Sequence, residues 1–391
     1  MTSDQETPFS RKLRRLRNER GLSVRQLADF VHHGKTYINE LERGLKRPTE
    51  ATARRLDEAL GAEGELLRLA PCERATAPDA AILRQSAEPD APMDEDDLER
   101  LHDTVRHLVA LDTLHGSEGL YASAARAFRT SQRRLAQSGA EPDVRADIHS
   151  ALAEVGEVAA WLAYDSDKHQ LSRDVATEAI LVADLAGDTS MRRFLMSHLA
   201  MQSVFLGRPA EALDLTGRVI SEEPRSKRVI GMMRVRRARA LGGRGQMSEA
   251  LRELALAREE LAGGVGPDDP AWTWWWHAAE LAVHEGRIRS AGGDLRGAVA
   301  SSEQSVMFLP AGQGRDHALF RAWLLSDLVD VKAWQDADQV AWQLMERAPI
   351  VGSARVPRII RLAERRAIRT GAPTWLVDAM REAADAADPA A

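Results

Sequence analysis

The sequence predicts an all-α chain in two parts, a small five-helix head followed by a long array of paired helices. Two observations carry that prediction. Apolar residues recur at helical spacing, and the alternating β-branched runs of strands are missing. From about position 94 onward, Gly, Pro or polar breaks return every 15–25 residues or so, which sets the length of each helix.

The head is the most strongly patterned segment. Val24, Leu27, Ala28 and Val31 form the apolar stripe of a short amphipathic helix. Ser23 stands at its N-cap and Gln26 three residues on, as a capping box requires. His32-His33-Gly34 make a turn, and a second short helix runs from about Lys35 to Arg43, with Gly44 to end it. At 100° per residue, Ile38, Leu41 and Glu42 share the inward arc of this second helix, while Thr36, Asn39, Glu40 and Arg43 point away. Thr49 caps a further helix through Leu60, and Glu63 to Leu69 continue the helical pattern. A helix held this way can enter a major groove about 12 Å wide, and Lys35, Thr36 and Asn39 lie in its leading turns. The charge agrees. Phe9 to Gly61 carries 13 Lys/Arg against 7 Asp/Glu, whereas the whole chain is −6. A basic head on an acidic body suits a domain that meets phosphates joined to one that does not.

These residues resemble the Xre, or lambda-repressor-like, helix-turn-helix family. The resemblance runs from the start of the chain to about Glu65 and rests on LS at 22–23, LA at 27–28, TYINELERG at 36–44 and RPT at 47–49. It implies that Lys35, Thr36, Asn39 and Glu40 read bases, and that Ser23, Arg25, Arg43, Lys46 and Arg47 lie near phosphates. It also implies a half-buried ion pair between Arg17 and Glu42, which makes Glu42 structural. Val24 departs from the family, where a Gln that bonds phosphate is frequent at that position. His32 and His33 replace a Gly and a small apolar residue. They leave base preference open, and adjacent histidines in a turn make a poor metal site.

Residues 71–97 carry four prolines among many Ala, Asp and Glu, and read as a linker or loose strap over 71–93; Ile82 and Leu83 could dock on a domain surface. From Asp94 the breaks near Gly116, Gly139, Asp165, Gly187, Gly207, Pro224, Gly243, Gly264, Gly292, Pro310, Ala333, Pro349 and Gly371 give about thirteen or fourteen helices over 94–391. A weak repeat runs through them. GRPAEAL (207–213), GQMSEAL (245–251) and GDLRGAV (293–299) each place Ala five residues after Gly, opening the second helix of a pair. Ser172, Ala212, Ala250, Ala298 and Ala337 then recur at nearly even intervals, with one longer step between Ala250 and Ala298. The pattern resembles degenerate tetratricopeptide repeats, or else a generic helical array. Either stacks into a superhelix with a concave face. The combination of head and array, residues 156–188 in particular, resembles a group of actinomycete transcriptional regulators.

Two constellations stand out in the array. Trp272, Trp274, Trp275 and Trp276 follow Pro270, which suits a helix start. Trp272, Trp275 and Trp276 are expected on one face as core wedges; the alternative is that Trp274 or a neighbour lines a ligand groove. Seven basic residues, Arg225 to Arg239, crowd one helix, and Arg228, Arg236 and Arg239 fall roughly on one side. They form either a solvated, ion-paired face or a site for a carboxylate, phosphate or peptide effector.

Other classes find little support. Cys72 is the only cysteine, so neither a disulfide framework nor a zinc cluster is expected. There is no Walker, G-x-S-x-G, H-E-x-x-H or dinucleotide motif, and the Gly-Gly pairs at 242, 263 and 292 read as loops. Neither a signal core nor a long apolar run of membrane-spanning length appears, so a cytoplasmic protein without cofactor, metal, membrane partner or enzymatic activity is expected. Its expected partners are a two-fold symmetric double-stranded DNA operator, a second copy of itself, and a peptide, small-molecule or protein effector. The competing reading is a tetratricopeptide scaffold or anti-activator that binds DNA weakly.

Overall fold

The computed structural model describes residues 8–31, 35–44, 46, 48, 50–62, 64–69, 91–309, 314–347 and 353–388. The chain divides into two compact units, Met1–Pro78 and Asp79–Ala391. Residues 71–90, with Ile82 and Leu83 of the expected linker, lie outside the described residues, as do His32, His33, Arg47 and Thr49.

Among the described residues the first unit holds five helices: α1 (Pro8–Glu19), α2 (Val24–Phe30), α3 (Lys35–Glu42), α4 (Glu50–Leu60) and α5 (Glu65–Leu69). The capping box expected at Ser23 forms with both bonds. Gln26 N–H donates to Ser23 Oγ at 3.2 Å, and Ser23 N–H donates to Gln26 Oε1 at 2.9 Å. Leu27, Ala28 and Val31 of the predicted stripe are buried in one core with Phe9, Leu13, Ile38, Leu41 and Leu56, while Val24 packs at its edge. Asp57 turns α4 into α5 by accepting the backbone N–H groups of Gly64 and Leu66 at 2.7 and 2.8 Å.

The second unit is an array of antiparallel helices. In order these are α6 (Glu95–His115), α7 (Tyr121–Ser138), α8 (Arg145–Asp165), α9 (His169–Ala186), α10 (Thr189–Phe205), α11 (Pro209–Ser221), α12 (Lys227–Gly243), α13 (Met247–Ala262), α14 (Ala278–Ala291), α15 (Leu295–Phe308), α16 (Gly314–Asp330), α17 (Trp334–Arg347), α18 (Arg355–Arg369) and α19 (Thr374–Ala386). Asp94 opens α6 with a reciprocal capping box to Asp97. Met93, just ahead of it, is buried and makes a parallel backbone bridge to Ala140. No strand occurs among the described residues.

From α8 onward the helices pair in sequence, and the predicted repeat falls in one register. Ser172, Ala212, Ala250, Ala298 and Ala337 each stand fourth in the second helix of a pair, and each is buried. A small side chain there lets the first turn of that helix sit directly against its partner. The longer step between Ala250 and Ala298 has a local cause: residues 263–277 are inserted between α13 and α14. Gly242 and Gly243, expected in a loop, form the last turn of α12.

The two helices of a pair differ in burial. The second helices bury a single stripe, as in α9 with Ser172, Val175, Ala176, Ala179, Val182 and Ala183. The first helices α8, α12 and α14 are buried on most sides, because each touches its own pair and the next. A tight approach lies at Gly156 of α8. A Cβ there would lie 2.6 Å from Ala179 Cβ and 2.7 Å from Phe128 Cε2. Gly156→Ala is therefore expected to push α7, α8 and α9 apart and to destabilise the array by about 1–3 kcal/mol. Urea denaturation followed by far-ultraviolet circular dichroism measures it, and an unchanged midpoint would show that the helices yield freely.

The array also bonds back onto its own beginning. Arg315 of α16 is bonded to Asp112 of α6, Arg355 of α18 lies 3.3 Å from Asp165 of α8, and Arg358 of α18 lies 3.0 Å from Asp167. These pairs join opposite ends of the array in sequence, tying α16 to α6 and α18 to the end of α8.

Candidate nucleic-acid interface and effector site

Helix α3, expected to read bases, is fixed by an ion pair at its end. Arg17 of α1 meets Glu42 of α3 in a fork, Nε to Oε1 at 2.5 Å and Nη2 to Oε2 at 2.9 Å. Arg17 Nη1 also donates to Leu22 O at 2.8 Å. One guanidinium thus ties α1, the turn before α2, and α3. The hydrogen bond to Glu42 raises the Arg17 pKa above its ordinary value, and Glu42 is only 4% exposed. Glu42 is thus buried and paired with Arg17, as the family resemblance implies.

With Ile38, Leu41 and Glu42 inward, the opposite side of α3 faces solvent. Lys35 and Asn39 are exposed there, as is Arg43 just beyond, and Glu40 is half-buried. The side chain of Thr36 lies outside the described residues. Glu40 and Lys46, predicted as a base reader and a phosphate contact, are paired with each other at 2.8 Å. Ser23 and Arg25 are exposed at the start of α2. Of the predicted interface residues that can be described, Lys35, Asn39, Arg43, Ser23 and Arg25 are thus exposed, while Glu40 and Lys46 pair with each other.

In the second unit the predicted set Arg228, Arg236, Arg239 and Trp274 does not come together. Arg228, near the start of α12, turns away and donates through Nη2 to the backbone oxygens of Thr273, at 2.9 Å, and Trp276. It is a strut for the inserted segment. Trp274 is 67% exposed. The expected helical face of Trp272, Trp275 and Trp276 does not form either. Ala271–Trp275 is a 3-10 turn, in which Trp272 and Trp275 eclipse at i and i+3, and Trp276 follows in extended backbone. Trp272 stacks on Phe194 at 4.2 Å and 3° and donates to Ser190 Oγ at 3.1 Å. Trp276 is fully buried beside Val229 and Met232. Trp272, Trp275 and Trp276 pack against the cores of neighbouring pairs, whereas Trp274 does not.

Arg236 and Arg239 do converge, on a histidine from the next pair. Arg236 Nη1 lies 2.7 Å from His284 Nε2, and Arg239 Nη1 lies 3.1 Å from His284 Nδ1. Arg236 is 3% exposed. Burial, then the charges of Arg236 and Arg239, push His284 well below the ordinary histidine range. Burial, then Arg287, lowers Arg239 to about 9, so it stays charged at neutral pH. Glu280 Oε2 lies 3.7 Å from His284 Nε2, and burial followed by Asp316 raises its carboxyl to about 7. Further round, Arg315 sits 5.2 Å over the Trp161 ring and Arg355 5.0 Å over Tyr164. Against burial, Asp112, Asp316 and Asp165 keep Arg315 firmly charged. Sequence reading missed His284, Glu280, Arg315 and Arg355, which come from three further helices. The available signal was a polar i, i+4 pair, Glu280 and His284, on a helix otherwise buried on most sides.

Residues 8–70 match the family model of a helix-turn-helix domain. No curated protein matches the chain. Among solved structures, the chain is similar to Bacillus thuringiensis PlcR, crystallised in complex with the peptide PapR7 and DNA. That likeness is 14% identity over 84% of this chain and 98% of that one, with a TM-score of 0.34. Among the described residues, no helix is long and apolar enough to cross a membrane.

Proposed function

We propose that this chain is a sequence-specific DNA-binding transcriptional regulator of the Xre type, whose tetratricopeptide-like array dimerises, senses an effector, or does both. The observation that carries it is the mounting of α3. Its inner side is locked by Ile38, Leu41 and the Arg17–Glu42 fork, while Lys35 and Asn39 stand exposed at its leading end. In this reading Lys35, Thr36, Asn39 and Glu40 contact bases. Ser23, Arg25, Arg43, Lys46 and Arg47 contact phosphates and set register and salt dependence. On DNA a phosphate replaces Glu40 as the partner of Lys46, which releases Glu40 to accept from a base amino group. One head covers few base pairs, so two copies occupy a two-fold operator. An effector acts by changing the separation of the two heads, since half-site spacing is set by the DNA.

The test is selection of bound duplexes from a random DNA library by the full-length protein and by a Thr36→Ala/Asn39→Ala variant. A palindromic consensus is expected from the wild type. The variant is expected to lose it, at about 1–3 kcal/mol for each bidentate base contact removed. Binding by both proteins with a steep salt dependence and no base preference would instead identify a scaffold whose head meets DNA nonspecifically.

A further inference from the structure

The contact between Arg236, His284 and Arg239 does not balance as it stands. Both ring nitrogens of His284 face a guanidinium N–H, at 2.7 and 3.1 Å. A neutral imidazole has one acceptor nitrogen and a protonated one has none. At least one of the two contacts therefore sets a donor against a donor. Arg236 Nε, deeply buried, has no hydrogen-bond partner either. The surrounding charges sharpen the point. Arg287 and Arg355, which also bear on His284, are each matched by a carboxylate, Asp327 and Asp165. Arg236 and Arg239 have none within ion-pair distance among the described residues, and the nearest acid to the ring is Glu280. Two cations thus converge at a sheltered point where the one acid that bears on Arg236, Glu280, is not bonded to either of them. Burying charge without a partner is costly, and guanidinium N–H groups aimed at one spot are the arrangement that binds two oxygens of one anion.

We propose that Arg236 and Arg239 form a receptor for one carboxylate group of the effector, with His284 as the neutral rest between them. This deepens, and rests on, the sensing role proposed above. A monoanion fits better than a phosphate dianion, because Glu280 stands 3.7 Å from the ring and would repel a second negative charge. The half-buried Trp275 ring, 6.0 Å from Arg236 Cζ, gives an apolar surface beside that guanidinium for the remainder of the ligand. The carboxylate can belong to a small organic acid or to the C-terminus of a short peptide. On binding it accepts from both arginines and removes the donor–donor contact at His284. Because both arginines are on α12 and His284 is on α14, occupancy replaces a contact between two adjacent helical pairs.

The experiment titrates the full-length protein with acetate, with a short apolar peptide bearing a free C-terminus, and with the same peptide as its amide. Chloride at matched ionic strength is the control. Tryptophan fluorescence and Tm are read for the wild type, Arg239→Gln and Arg239→Lys. Saturable rises in Tm with carboxylates, but not with amide or chloride, are expected. Response to both acetate and the acid peptide marks a small-acid site, whereas response to the peptide alone marks a chain-end site. Arg239→Gln is expected to weaken binding about 10–100-fold, as the loss of a charge-assisted hydrogen bond does, and Arg239→Lys less. Without ligand, Arg239→Gln is expected to hold or raise Tm, since it removes an unmatched cation. A lower Tm in that variant, or equal responses to chloride and carboxylate, overturns the site. Carboxylate binding that leaves operator affinity unchanged supports the site and refutes the sensing role.

Discussion

Arg17→Ala is expected to unfold the head selectively. The substitution leaves Glu42 as a buried carboxylate without its fork and frees Leu22 O from its donor. Breaking one side of a buried pair costs about 3–5 kcal/mol. That is a large share of what five short helices can hold. Hydrogen exchange followed by mass spectrometry should show peptides from residues 8–69 losing protection while those from α8 to α19 keep theirs. DNA binding should fall in parallel, since α3 is aimed by the same bond. Arg15→Ala is the control. Arg15 and Glu19 pair on an exposed face, and their loss should leave protection unchanged. Equal protection in Arg17→Ala and wild type would show that the hydrophobic contacts of Ile38 and Leu41 alone position the helix.

The second large effect lies in the inserted segment. Trp276 is fully buried beside Val229 and Met232, and its backbone oxygen accepts from Arg228. Trp276→Ala should open a cavity between α12 and α14 at a cost of about 3–5 kcal/mol. Trp274→Ala, at a site 67% exposed, should change stability by less than about 0.5 kcal/mol. Chemical denaturation of both variants separates the wedge from the bystander. Similar midpoints would mean that the segment contributes nothing to the stacking of the pairs. Because Trp276 lies beside His284, its removal should also loosen the Arg236–Arg239 cluster, which the carboxylate titration can read.

The head was legible because its determinants are local. A capping box and an i, i+3, i+4, i+7 stripe both lie within one helical segment. Ser23, Gln26, Leu27, Ala28, Val31, Ile38 and Leu41 behave as their spacing predicts. The ion pair between Arg17 and Glu42 was available only through resemblance, since nothing in spacing alone joins residues so far apart in the chain. The repeat was legible for a related reason. A small residue in the first turn of the second helix of five successive pairs answers a recurring steric demand, so it leaves a period.

The site in the array followed no such rule. Arg228, Arg236 and Arg239 share a helix side, yet Arg228 near the start of α12 braces the tryptophan segment while the other two, farther along, meet His284. The tryptophan segment itself took a 3-10 turn, which re-aimed side chains that α-helical geometry had grouped. The sequence by itself determined an all-helical chain, a helix-turn-helix head with a defined outer face, and the register of the pairs, because these depend on neighbours within a turn or two. Tertiary structure alone decided which arginines have a carboxylate and which do not. Those charges meet only when helices distant in the chain stack and the last pairs fold back onto Asp112 and Asp165.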